Sequence, residues 1–251
     1  MVLHEQFLQN HLSLWYNKGR ARTEVPARTY VRKQKVMEIS WFGHSCFQLR
    51  GKNVTLITDP YTGQPDSSQE GLARLAKSNA SIVTVSHDHP GHNNVQGVGG
   101  KPRVVRGPGE YEISDVLITG VASYHDNKQG KERGRNTIYI IHMDELVICH
   151  LGALGHSLQK EQLEEVADAD VLLLPIGDNM NASLAAEIIS QVEPRIVIPM
   201  NYQPQSGDDP DPLRTFWREM GIEAITPQPK LTVTKNSLPA RMQVVLLSIR
   251  G

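Results

Sequence analysis

Ser86-His87-Asp88-His89-Pro90-Gly91-His92 packs three histidines into six residues, directly after the apolar run Ile82-Val83-Thr84-Val85. Neutral imidazole is the commonest protein ligand for zinc. His87 and His89 stand two apart, so an extended loop turns both to one side and Asp88 to the other. A His-x-His pair leaving a strand points to a metal site. The plainer alternative is a satisfied histidine cluster that binds no metal. Further along, His44, His125, His150 and His156 and the carboxylates Asp59, Asp88, Asp126 and Asp178 sit in turn-like settings where they too could do chemistry.

The elements that must position these residues change character along the chain. Short β-branched or apolar runs bounded by Gly, Pro, Asn or Asp predict strands at 37–42, 46–50, 54–58, 82–86, 103–105, 116–121, 137–142 and 146–150. Helices and strands then alternate. Leu158 to Ala167 reads as a helix with Ser157 as N-cap, and Val171 to Leu174 as a buried strand. Leu184, Ile188, Ile189 and Val192 share a helical face that must end before Pro194. Ile196 to Pro199 reads as another buried strand. Pro212 to Met220 reads as a helix between the cap Asp211 and Gly221, and strands at 231–234 and 243–249 follow. A sheet-rich first half followed by βα units predicts an α/β protein with two packed sheets and helices outside.

Several motifs occur in a fixed order: Trp41-Phe42-Gly43-His44-Ser45-Cys46-Phe47, Thr58-Asp59-Pro60, the histidine segment, Gly107-Pro108-Gly109-Glu110-Tyr111-Glu112, Tyr124-His125-Asp126, Cys149-His150-Leu151-Gly152-Ala153-Leu154-Gly155-His156 and Ile198-Pro199-Met200-Asn201-Tyr202. Over about residues 37 to 250 the chain thereby resembles the metallo-β-lactamase fold hydrolases, in particular the β-lactamase-like Zn-dependent hydrolases. The resemblance implies an αββα sandwich with metal ligands on loops at one edge. It implies one metal on His87, His89 and His125, with a position left open for water. Of the family's second site only His92 remains. Gly91, Ala153 and Asn201 stand where the family has an aspartate, a bridging aspartate and a histidine. Two divalent cations a few Å apart need anionic ligands to offset their repulsion. One zinc ion is therefore expected rather than two, with manganese as an alternative metal. Asp59 and His44 are the candidate catalytic groups. Asp126 could orient His125, or simply pair with it, since ligating histidines usually donate their second ring nitrogen. Arg106, Glu110, Glu112 and Arg135 could line the pocket or form surface salt bridges.

Composition narrows the function classes. The 251 residues are 39% hydrophobic and 21% charged, as in a soluble globular protein. With 26 basic and 27 acidic side chains the net charge is −1, which gives no field to attract nucleic acid or an anionic membrane. A small-molecule substrate is expected instead. Cys46 and Cys149 read as buried reduced thiols. No apolar run is long enough for a membrane span, and no signal-peptide core stands near the start, so a cytoplasmic protein is expected. Residues 1–36 read as a basic extension before the domain at 37–251, with Lys18, Arg20, Arg22, Arg28, Arg32, Lys33 and Lys35 against Glu5 and Glu24. Phe7, Leu8, Leu12, Leu14 and Trp15 suggest a short amphipathic helix there, which could serve oligomer formation or simply be solvated.

Two functions of different class follow. One is a mononuclear zinc hydrolase acting on an ester or phosphodiester-type substrate. The other is a catalytically impaired paralogue kept for binding or regulation, motivated by the changes clustered at Gly91, Ala153 and Asn201.

Overall fold

The computed structural model describes residues 34–62, 69–177, 180–202 and 211–249. Most of the basic extension and Asp178 lie outside the described residues. Among the described residues thirteen strands form two sheets. The first sheet holds β1 (Met37–Gly43), β2 (Cys46–Arg50), β3 (Thr55–Thr58), β4 (Ala80–Val85), β5 (Gly100–Arg106) and β12 (Leu231–Val233), in the order β12-β1-β2-β3-β4-β5. The second holds β6 (Gly109–Ile113), β7 (Val116–Tyr124), β8 (Arg135–Met143), β9 (Leu146–His150), β10 (Val171–Pro175), β11 (Ile196–Met200) and β13 (Gln243–Val244), in the order β13-β11-β10-β9-β8-β7-β6. The helices are α1 (Gln69–Ala76), α2 (Lys160–Val166), α3 (Ala182–Val192) and α4 (Pro212–Met220). None is long and apolar enough to cross a membrane.

The layering follows from strands that are apolar on both faces. In β10, Val171 and Leu173 face the space between the sheets, while Leu172 and Leu174 face the outer helices. β11 divides in the same way, with Ile196 and Ile198 inward and Val197 outward. In the first sheet Leu56 and Ile82 point inward, whereas Ile57 and Val83 pack outward with Leu75 of α1. Period-2 alternation thus supplies three apolar layers, and two sheets with helices on both outer faces are what can bury them all. The fold is the αββα sandwich of the metallo-β-lactamase type. Cys46 and Cys149 are buried free thiols within its outer layers.

Several boundaries shift from those read in the sequence. α2 begins at Lys160 with Gln159 as its cap, not at Leu158 with Ser157. The Gln159 N–H donates to Gln162 Oε1 at 3.0 Å, and the Gln162 amide donates to Ala122 O of β7 at 2.7 Å, which anchors the first turn to the sheet. Two elements carry no clear sequence signal. β6, Gly-Glu-Tyr-Glu-Ile, is an edge strand whose glutamates are exposed, a charged pattern that protects an edge while hiding the strand. α1 is short and contains a glycine. The chain end pairs only at Gln243–Val244, with single bridges at Leu247 and Ile249 replacing the expected strand to 249. By contrast α3 ends before Pro194 and α4 runs between Asp211 and Gly221 as expected, while Asn181 is a cap not read from the sequence. Asn181 and Asp211 accept from Leu184 N and Leu213 N, and the helices end at left-handed Glu193, before Pro194, and at Gly221.

The sheets are joined by polar bonds close to the histidine segment. The Tyr139 hydroxyl donates to Val85 O at 2.9 Å, and Thr137 N donates to Ser86 O at 2.9 Å. Replacing Tyr139 by Phe is expected to lower the unfolding free energy by about 1 kcal/mol. Urea titration of both proteins checks this, and equal midpoints would count against a stabilising role for the bond.

Candidate metal centre

Strand direction places the candidate residues on one edge. β1 and β3 are each antiparallel to β2, and β4 runs parallel to β3, so all three end on the same side. His44 follows β1, Asp59 follows β3, and His87 follows β4 within two residues. In the second sheet β7 and β9 are each antiparallel to β8, and β10 and β11 continue parallel to β9. His125 follows β7, the Gly152–Ala153 turn follows β9, and Asn201 follows β11. Asn201 N donates to His44 O at 3.3 Å, joining the two rows. Carboxyl ends of strands are where α/β sheets hold their ligands.

His87, His89 and His92 bring one ligand nitrogen each to within 4.8 Å of one another. The His87 ring lies 4.2 Å from that of His92 and 4.9 Å from that of His125. Asp59 stands behind this cluster and is fully buried. It accepts from Ser86 N at 2.7 Å, from the Ser86 hydroxyl at 2.5 Å and from His92 Nδ1 at 2.8 Å. Burial alone would raise its pKa. The His92 bond and the charges of His92 and His150, with Ser86, prevail and hold it at about 2.

The donor chain fixes the His87 tautomer. Ser86 gives its one hydroxyl proton to Asp59, so its oxygen accepts from His87 Nδ1 at 3.0 Å. The lone pair of His87 then lies on Nε2, which is buried and has no hydrogen-bond partner among the described residues. Such an orphaned acceptor is costly unless something binds it. Burial first, then His92, lowers the His87 pKa to about 3. The same causes lower His125 to about 4. Both rings stay neutral at physiological pH, as metal ligands must. The donor set thus fits a zinc ion.

The other candidates take different places. Asp59, a candidate catalytic group, is fully buried and accepts from His92 and Ser86. His44 lies beside the cluster in a left-handed turn at φ 47°, edge-on to Tyr61 and bonded to the Asn201 side chain. Burial and then His92 lower its pKa, against the Asn201 bond. Asp126 does not orient His125. Its carboxylate accepts four backbone N–H groups, from Lys128, Gly130, Glu132 and Arg133, and so closes the loop that follows. His150 is a core residue, bonded to Ser45 O and to Gly152 N. His156 is turned away, its nitrogens bonded to Tyr124 N and Ser157 O. Asp88 is exposed and accepts from Asn93.

Ser86 and Asn136 were not read from the sequence. The signal for Ser86 was its place immediately before the first histidine. Asn136 is a buried polar residue opening an apolar strand. Its side chain bonds Ser123 Oγ, Leu151 O and Ala153 N, and so holds the turn after β9 against β7 and β8.

A family model described as the β-lactamase superfamily domain matches residues 38–201, and the chain belongs to that family. A UPF0173 protein of Pyrococcus abyssi is 29% identical over 196 residues, covering 68% of this chain and 86% of the relative. A UPF0173 metal-dependent hydrolase of Desulforamulus reducens is 27% identical over 204 residues, covering 69% of this chain and 89% of the relative. Among solved structures, that of a candidate Zn-dependent hydrolase of the metallo-β-lactamase superfamily from Thermotoga maritima aligns with TM-score 0.65 at 29% identity, covering 84% of this chain and 98% of that one.

Two outcomes follow from this geometry. Asp59→Asn removes the negative partner of His92 and Ser86 and is expected to weaken zinc binding by about 10- to 100-fold. Competition against a chromophoric chelator measures this, and unchanged affinity would contradict the positioning role. For Asp126, burial opposes ionisation, but the four N–H bonds, with Arg133 foremost, lower its pKa from 3.8 to about 2. A folded pKa below the unfolded value gives loop order that is complete above pH 3.8 and lost as pH falls through about 2. Hydrogen exchange at Lys128, Gly130, Glu132 and Arg133 should follow that window in the wild type. At neutral pH the same amides should be less protected in Asp126→Asn.

Proposed function

We propose that this protein is a metal-dependent hydrolase with a single zinc ion held among His87, His89, His92 and His125, acting on an ester or phosphodiester-type small molecule. The observation that carries this reading is the buried, unpartnered Nε2 of His87 beside two further histidine donors. A relic cluster freed from metal would be under no constraint to keep that acceptor unsatisfied. The names of the related proteins, metal-dependent hydrolase and Zn-dependent hydrolase, support the same class.

When bound at such a site, zinc supplies an acidified water and polarises a substrate oxygen. The chain's own residues do the positioning. Asp59 fixes the His92 ring through Nδ1, and Ser86 fixes His87 through Nδ1. His44, held between Tyr61 and Asn201, borders the cluster on the first-sheet side and is the candidate to meet the substrate.

One ion is favoured over two by what occupies the second-site positions. Gly91 has no side chain, and its N–H donates to His89 Nδ1 at 3.1 Å. Ala153 offers no ligand atom, and Asn201 bonds His44.

Elemental mass spectrometry should find close to one zinc per wild-type chain, and none in His87→Ala. Two zinc ions per wild-type chain would refute the mononuclear reading, and none after incubation with zinc would refute the metal centre. Combining Gly91→Asp, Ala153→Asp and Asn201→His is expected to raise the count toward two. At Gly91 an added Cβ would lie 3.1 Å from His89 Nδ1, a tight contact that a small shift of that exposed ring relieves. Absence of hydrolysis across a broad ester panel by zinc-loaded protein would favour the impaired paralogue instead.

A further inference from the structure

A cavity of about 520 Å³ opens beside His87, and its wall includes Ser86, Arg106, Tyr124, Arg135 and Asn136. This volume suits a small organic ligand. The two arginines reach it from different sheets, Arg106 as the last residue of β5 and Arg135 as the first of β8. Both are exposed, and among the described residues neither forms an ion pair. Among the described residues, then, no surface salt bridge accounts for them. The other charged group in the wall is Asp88, whose carboxylate accepts from the Asn93 amide. Two fixed positive charges thus face one negative charge that already has a donor. Pro108 and Ala122 add apolar wall between the polar groups.

A guanidinium presents a planar fork of donors that matches the paired oxygens of phosphate or carboxylate. Two such forks in the wall of a cavity that also contains a candidate metal ligand offer a position for an anion beside one for a scissile bond. We propose that Arg106 and Arg135 form an oxyanion-recognition subsite, and that the substrate carries a phosphate or carboxylate group adjacent to the bond placed at the histidines. The assignment of the scissile bond rests on the hydrolase reading. The anion subsite itself is independent of bound metal.

The test is isothermal titration of full-length, chelator-treated protein with phenylphosphonate and with benzoate, beside benzyl alcohol as the neutral control. At least one oxyanion should bind, the alcohol should not, and added salt should weaken the binding. Arg106→Gln and Arg135→Gln should each weaken it by about tenfold, the loss of one charge-assisted bond. Both side chains are exposed, so thermal melts of the variants should match the wild type and exclude unfolding as the cause. Preference between the two probes then identifies phosphate or carboxylate. Failure of both probes to bind the wild type, equal binding of benzyl alcohol, or unchanged affinity in both arginine variants would overturn the proposal. Zinc content is measured separately, so failure of the metal centre and failure of the anion subsite give different results.

Discussion

A carboxylate with no exposure to water has to be surrounded by donors, and Asp59 imposes that requirement on everything near it. It stands at the end of β3 in a left-handed conformation, with its own N–H bonded to Thr84 O of β4. Its oxygens then take Ser86 N, the Ser86 hydroxyl and His92 Nδ1. These bonds bend the chain after β4 back over β3, and that bend gathers His87, His89 and His92. A buried carboxylate held in this way contributes little net stability, because desolvation offsets much of the attraction. Its effect is to select one arrangement of the histidine loop.

Each of the three departures from the two-metal pattern has its own partner nearby. The backbone N–H of Gly91 meets His89, the Ala153 N–H meets Asn136, and the Asn201 side chain meets His44. Each position is joined to the site by a neutral bond where the family pattern would place a ligand. The edge keeps its shape with fewer negative charges. Asp59 remains as the buried acidic group behind the histidines, and its charge is matched by the bond from His92.

Much of this was legible because it depends on local pattern. Spacing alone picked out His87, His89 and His92, and apolar alternation with Gly and Pro boundaries marked most strands. The apolar face at Leu184, Ile188, Ile189 and Val192 with Pro194 marked α3, and Asp211, Pro212 and Gly221 marked α4. The order of motifs then indicated the sandwich. What could not be read depends on groups distant in sequence. Asp126 gathers N–H groups from the loop that follows it, so its neighbour His125 was the wrong partner to expect. His150 and His156 stand in the same segment with different backbone partners, Ser45 in the opposite sheet and Tyr124 in β7. At Gly155 an added Cβ would lie 2.5 Å from His125 O, so a side chain there would push against the loop that carries His125.

The bond from Thr137 N to Ser86 O has a consequence for the order of assembly. During synthesis the three clustered histidines emerge together, long before β8 is complete. At that stage they lack the second sheet, and with it His125, the Thr137 bond and the contact of Tyr139 with Val85. The geometry that sets their nitrogens is therefore a property of the docked sandwich and not of the segment. An ion that binds the finished arrangement stabilises the folded chain by mass action and leaves the incomplete chain without that gain. A metal that binds this cluster therefore meets its full set of donors only once the second sheet is in place.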